Sequence, residues 1–117
     1  MIENDKKNLS YEELSSLINI NNIYEITHDK LLDISLKIDE VTSINLYFHM
    51  LGLLINLEEY NDSLKIAYLS NLISFYIFDV ITPPYSEKIA RFYAEKSLEN
   101  NPISEYKEWL GYINRGN

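Results

Sequence analysis

Apolar residues recur every three or four positions in the first half of the chain, which is the spacing of one face of an α-helix. A first helix is predicted to begin at Ser10, because Ser10 and Glu13 form an S-x-x-E capping box. A longer helix is predicted over residues 41–57, with Asp39 or Thr42 as its cap. We expect the buried face of this helix to carry the residues that follow helical spacing, namely Ile44, Tyr47, Phe48, Leu51, Leu54 and Ile55.

The second half of the chain predicts three further helices. Residues 64–81 are apolar on nearly all sides, which is typical of a buried helix. Pro83 ends that helix because proline lacks an amide donor, and another helix is expected over residues 85–99. Asn101 and Pro102 match a cap followed by a proline at the first helical position, so they predict the start of a last helix.

Residues 32–39 allow two interpretations. Apolar and polar residues alternate there without a break, which is the pattern of a half-buried strand, and residues 23–27 could form its partner. Asp, Lys and Ser are poor strand formers, however, and a lone two-stranded hairpin is marginally stable. A helix and a small β-hairpin within residues 23–39 both stay open at this point.

Length and composition indicate one domain. A chain of 117 residues with three glycines and three prolines offers no flexible linker. Residues 1–9 are polar, and we expect them to be frayed. The predicted fold class is therefore mainly α, with residues 10–117 forming a single domain of about five or six helices packed as antiparallel hairpins.

The whole chain has a formal net charge of −8, and most of it lies in the first half. Residues 1–59 hold eleven acids and four bases, a net charge of −7, whereas residues 60–117 hold seven acids and six bases, a net charge of −1. Such a field repels nucleic acid and attracts a basic protein partner. The alternative interpretation is that the excess acid keeps a small domain soluble.

The sequence contains little that could perform covalent chemistry. There is no cysteine, and neither His28 nor His49 lies in a metal-binding motif, so no metal or cofactor is predicted. Glycines at positions 52, 111 and 116 cannot form a phosphate-binding loop or a nucleophile elbow. We therefore predict a protein that is not an enzyme.

Polar residues within the long apolar segments argue against a membrane span, and the polar first ten residues favour a cytoplasmic location.

Ten tyrosines provide candidates for binding, because a tyrosine ring contributes a large contact area at low entropic cost. Tyr24, Tyr60, Tyr85 and Tyr112 lie in polar settings and are expected to be exposed. Tyr60 stands out because acids surround it along the chain. The candidate partner-binding residues are Glu58, Glu59, Tyr60, Asp62, Tyr24, Glu25, Asp29, Asp33 and Glu40.

Part of the chain resembles tetratricopeptide repeats. Ala90, Ser97 and Pro102 have the spacing of the second helix of such a repeat, and residues 109–112, Trp-Leu-Gly-Tyr, are similar to the start of the next one. The resemblance implies helical hairpins of similar build and, in one interpretation, a helical adaptor or regulatory module that binds a peptide or protein in a groove.

In overall character the chain is similar to the small, acidic, helical immunity proteins that bacteria pair with secreted toxins. This resemblance implies a stoichiometric inhibitor whose acids steer it to a basic toxin domain, such as a nuclease, and whose tyrosines anchor it over the active site.

Overall fold

The computed structural model describes residues 5–116, which form six α-helices and no strand. The helices are α1 (Tyr11–Leu17), α2 (His28–Ser35), α3 (Glu40–Glu59), α4 (Ser63–Phe75), α5 (Ser86–Asn100) and α6 (Ser104–Asn114). A 3-10 turn at Ile23–Glu25 precedes α2, and a π-helical segment, Tyr76–Ile81, extends α4. The predicted mainly α, single-domain fold is confirmed, and its radius of gyration is 14.1 Å.

Side-chain caps start the first helices where the sequence places them. Ser10 and Glu13 form the predicted capping box, in which each side chain accepts a hydrogen bond from the other residue's amide. Thr27 caps α2 by accepting from the Lys30 amide. Asp39, one of the two predicted caps, accepts from the Thr42 amide at 2.8 Å and starts α3. These bonds satisfy amides that have no partner within the helix.

Helix α4 forms the centre of the core. It contacts α3 and α5, and nine of its thirteen residues are buried. The small residues Ala90, Ala94 and Ser97 of α5 are fully or almost fully buried, and Ser97 donates a hydrogen bond to the Ala67 carbonyl of α4. Small side chains allow two helix backbones to approach closely, so α4 is enclosed on nearly all sides as its composition predicts.

Within residues 23–39 the chain forms the 3-10 turn, then α2, then a turn that leads to an isolated parallel bridge between Ile38 and Lys7, and it does not form a β-hairpin. Leu31 is fully buried and Ile34 half-buried, whereas Leu32 and Leu36 are exposed. The alternating pattern therefore does not divide the segment into a buried face and a polar face. A helix that starts at the Thr27 cap satisfies the backbone locally, and no further strand is needed to do so.

The first described residues are attached to the domain. The Lys7 amide donates to the Lys37 carbonyl, and the Asp39 amide donates to the Lys7 carbonyl, both at 2.9 Å. The Leu9 amide donates to the Thr42 hydroxyl. The backbone at Lys7 and Leu9 is thus bonded to the domain. The expected fraying stays a prediction, and its first part, residues 1–4, lies outside the described residues.

The last helix begins later than predicted. Helix α6 starts at Ser104 after Ile103, and Ile103 makes no side-chain cap bond. Asn101 and Pro102 lie in the turn between α5 and α6 instead. The Ile103 amide donates to the Asn101 carbonyl at 2.8 Å, and this tight turn delays the helix.

One helical segment among residues 5–116, Ser63–Ile81, is long and apolar enough to cross a membrane on length and composition alone. In the domain, 61% of its most apolar window is buried.

Candidate partner-binding surface

The turn between α3 and α4 presents Tyr60 to solvent. Tyr60 caps the end of α3 and Asn61 follows in a left-handed conformation, with φ of 56°, which reverses the chain within two residues. Asp62 then caps α4 by accepting from the Lys65 amide. The reversal leaves 79% of Tyr60 exposed, and Glu59 beside it is exposed as well.

The other two acids predicted in this turn are engaged within the domain. Glu58 forms an ion pair with Lys96 of α5. Asp62 is half-buried as the α4 cap. Tyr24 lies near this turn: burial, and secondly the charge of Asp62, raise the pKa of its hydroxyl. Its ring packs edge-on against Tyr68, with the centroids 5.2 Å apart.

The remaining predicted acids lie on the 3-10 turn, on α2 and at the start of α3. Asp29 lies in the first turn of α2, and Asp33 forms an exposed ion pair with Lys37. Glu40 lies at the start of α3, at the far end from Tyr60, and Glu25 is exposed in the 3-10 turn. The predicted binding residues therefore occupy several places on the surface, and those from 58 to 62 share one turn, with Tyr24 near Asp62.

Asp29 borders a small cavity of about 270 Å³ that sequence analysis did not predict. Tyr68, Tyr106 and Glu105 share the lining, and burial, followed by the charge of Glu105, raises the pKa of Tyr106 to about 12. His28 also faces this cavity, but its Nε2 is 2.7 Å from the Asn71 side-chain oxygen and its ring stacks on Phe75. His28 therefore packs against the core, and one of its ring nitrogens is hydrogen-bonded.

The tyrosines divide largely as their surroundings predict. Tyr24 and Tyr85 are exposed together with Tyr60. Tyr112 is half-buried because its ring stacks on Trp109, so the prediction that it is exposed is wrong. Tyr76 is fully buried, and its hydroxyl donates to the Ser43 carbonyl at 2.9 Å.

A row of large apolar side chains lies on the solvent side of α3. Val41, Ile44, Phe48 and Ile55 are each at least half exposed, and Gly52 lies in the same row. We call these five residues the outer face of α3. Of the residues expected on the buried face, Leu54 is buried, but Ile44, Phe48 and Ile55 face solvent, so the prediction is wrong for those three. Leu46, Met50 and Leu57 fill the core in their place. A helix that is apolar on both sides does not reveal from spacing alone which side is buried.

The outer face of α3 continues into a groove of about 1060 Å³ between α2, α3 and the π-helical segment. Val41 and Ile44 form one wall of this groove, and exposed Leu36 of α2 contributes to it. Glu40 and Asp79 line it as well, and burial raises the pKa of Asp79. The charged residues that line the groove are Lys6, Asp39, Glu40 and Asp79.

No group of three or more His, Asp or Glu side chains placed to hold a metal ion occurs between residues 5 and 116. Comparison of the chain with protein-family models, curated proteins and solved structures finds no match.

Proposed function

We propose that this protein is a stoichiometric binding protein for a basic protein partner, and that it acts as an immunity protein that occludes the active site of a toxin. The observation that carries this proposal is the exposed pair Glu59 and Tyr60. The nearby cation Lys96 is already paired with Glu58, which leaves Glu59 available to a partner.

Each part of this region has a distinct role in the proposed complex. Tyr60 is a rigid aromatic anchor that has to order only two side-chain torsions on binding. Glu59 supplies a negative charge, and its attraction to a basic group of the partner strengthens when the interface excludes water. Glu25, Asp29, Asp33 and Glu40 lie outside the turn between α3 and α4, on the 3-10 turn, α2 and the start of α3. They contribute to the long-range field that accelerates association. The proposed setting is the bacterial cytoplasm, without a cofactor, nucleic acid or membrane contact.

The test begins with purification of the tagged chain from its native cell and identification of the protein that elutes with it. We expect a basic protein whose association rate falls about tenfold or more between about 20 mM and about 300 mM salt. If that protein has a toxic activity, one molar equivalent of the chain should abolish it. A partner that is acidic, or that associates at a rate independent of salt, would contradict the proposal.

Variants locate the contact. Glu59→Lys combined with Tyr60→Ala should weaken binding by about thirtyfold or more, as expected for a hot spot. The matched control is Glu95→Lys with Tyr85→Ala, which alters an exposed acid and a tyrosine 74% exposed elsewhere on the surface. Equal losses in both double variants would mean that the acidic turn is not the contact.

The second candidate function is a helical adaptor built from antiparallel hairpins of the tetratricopeptide kind. Its support is the close packing of the small residues Ala90 and Ser97 on α4, together with the contact between α5 and α6. An adaptor of this type would bind a peptide along its last two helices. Binding should then depend on the exposed Phe92 of α5 and be insensitive to the Glu59 and Tyr60 variant.

A further inference from the structure

We propose that the outer face of α3 docks an α-helix of the partner, and that this helix carries apolar residues at heptad spacing with basic residues toward both of its ends. The inference rests on the proposed function in one respect, since it takes the partner to be a basic protein. It adds the surface, the partner's local structure and the position of its charges.

The spacing of the exposed residues fits a helix as the occupant. Val41, Phe48 and Ile55 are seven residues apart, and Ile44 lies between the first two. Apolar residues that recur with a heptad period form a straight seam along a helix, into which a second helix packs at a crossing angle of about 20°. All four side chains are at least half exposed in the free domain, so the seam is open.

Gly52 provides an independent indication that a partner approaches this face. Glycine is the least favourable helix residue after proline, so a glycine inside a helix lowers its stability relative to alanine. Here a Cβ atom built on Gly52 would meet nothing within 4 Å. The domain itself therefore has no need of a glycine, whereas a docked helix could approach the α3 backbone closely at this position.

Charge at the two ends of α3 selects between possible occupants. Glu40 and Glu59 bracket the outer face of α3 at a separation of about 28 Å along the helix axis. Residues 41–57 between them include no Asp, Glu, Lys or Arg. A second copy of this chain would place acid against acid at both ends, whether the two helices ran parallel or antiparallel. A partner helix with Lys or Arg near both ends would instead meet an opposite charge at each end.

The experiment uses a phage-displayed library of helical peptides of about 21 residues, or three heptads, with the seam positions and both terminal turns randomised. We expect the purified protein to select peptides with apolar seam positions and Lys or Arg in both terminal turns. Selection of peptides with neutral or acidic ends, or no selection at all, would overturn the proposal.

Variants then test whether the selected peptides bind the proposed surface. Phe48→Asp should weaken binding by about tenfold or more, and Phe92→Asp, the matched control on α5, should leave it within about twofold. The two side chains are 60% and 58% exposed, so both variants should fold, which circular dichroism can verify. Ile55→Asp provides a second variant of the outer face of α3. Binding that persists in both α3 variants would overturn the proposal.

The same peptides distinguish a failure of this inference from a failure of the proposed function. If Glu59→Lys with Tyr60→Ala abolishes binding of basic peptides while Phe48→Asp does not, the acidic turn binds the partner and the docking face is wrong. If the native partner proves not to be basic, the proposed function is wrong. Sedimentation equilibrium adds a further check, since dimerisation that Phe48→Asp abolishes would identify the occupant as a second copy and overturn the inference.

Discussion

Helices α3 and α4 are both apolar on nearly all sides, yet the domain encloses only one of them. Nine of the thirteen residues of α4 are buried, against five of the twenty in α3. Other helices cover α4, whereas Val41, Ile44, Phe48 and Ile55 of α3 face solvent. The packing of the domain accounts for the composition of α4. It does not account for the outer face of α3, and this difference is the basis for treating that face as a binding surface.

The largest expected change in stability is for an isoleucine-to-alanine substitution in α4, compared with the same substitution in α3. Ile73→Ala in α4 removes a fully buried side chain and should reduce the free energy of unfolding by about 2–5 kcal/mol. Ile55→Ala in α3 alters a side chain that is 58% exposed and should change it by less than about 1 kcal/mol. Urea denaturation measures both. Equal losses would show that the outer face of α3 is needed for folding.

A second comparison concerns two fully buried serines, one turn apart on α4. Ser74 donates to the Ala90 carbonyl and accepts from the Trp109 indole, each at 2.7 Å. Ser74→Ala leaves both partners unsatisfied and should cost about 1–3 kcal/mol in stability.

Ser70 provides the matched control, because its buried hydroxyl has no hydrogen-bond partner within residues 5–116. Ser70→Ala should therefore leave stability unchanged or raise it slightly, as the same denaturation experiment would show. A loss similar to that of Ser74→Ala would mean that the packing of α4, and not its hydrogen bonds, determines the cost.

The smallest expected effect is the pH-dependent contribution of Asp39, the cap of α3, to the stability of the fold. Hydrogen bonds from Thr42 lower the pKa of Asp39 below its ordinary value of 3.8. The folded state thus prefers the charged carboxylate, so this contribution is fully present above the unfolded pKa and is lost as pH falls through the folded pKa.

Asp39→Asn keeps an oxygen that can accept the cap bond but removes the titration. Its stability should therefore fall less than that of the wild type as the pH drops below about 4. Thermal unfolding over a pH series measures this difference. Parallel losses in the two proteins would exclude Asp39 as a source of acid sensitivity.

Much of the fold follows from local sequence signals. The capping box at Ser10, the Asp39 cap and the proline pair after residue 82 mark helix ends because they act on neighbouring backbone groups. Residues 32–39 are ambiguous in sequence because their alternating pattern fits a strand, whereas the helix that starts at the Thr27 cap runs to Ser35 and leaves residues 36–39 outside it. Asn101 and Pro102 gave the wrong start for α6, because the chain makes a tight turn there first.

The candidate surface was less predictable than the fold. Exposure of Tyr60 follows from its polar neighbours, but the pairing of Glu58 with Lys96 depends on how α3 and α5 meet. The outer face of α3 could not be identified from spacing, because both sides of that helix are apolar. The one sequence signal that points to the outer face of α3 is Gly52. It lies inside a predicted helix, although an added Cβ atom would meet nothing in the domain.

Gly52→Ala tests most directly whether the outer face of α3 is shaped for a partner. In the free protein the substitution should raise stability by about 0.5–1 kcal/mol, because alanine favours the helix and its methyl group meets open space. Thermal unfolding with and without a saturating selected peptide gives both readouts. We predict a higher midpoint for the free variant and a smaller increase on adding peptide. A lower midpoint for the free variant, or an undiminished increase with peptide, would contradict the account.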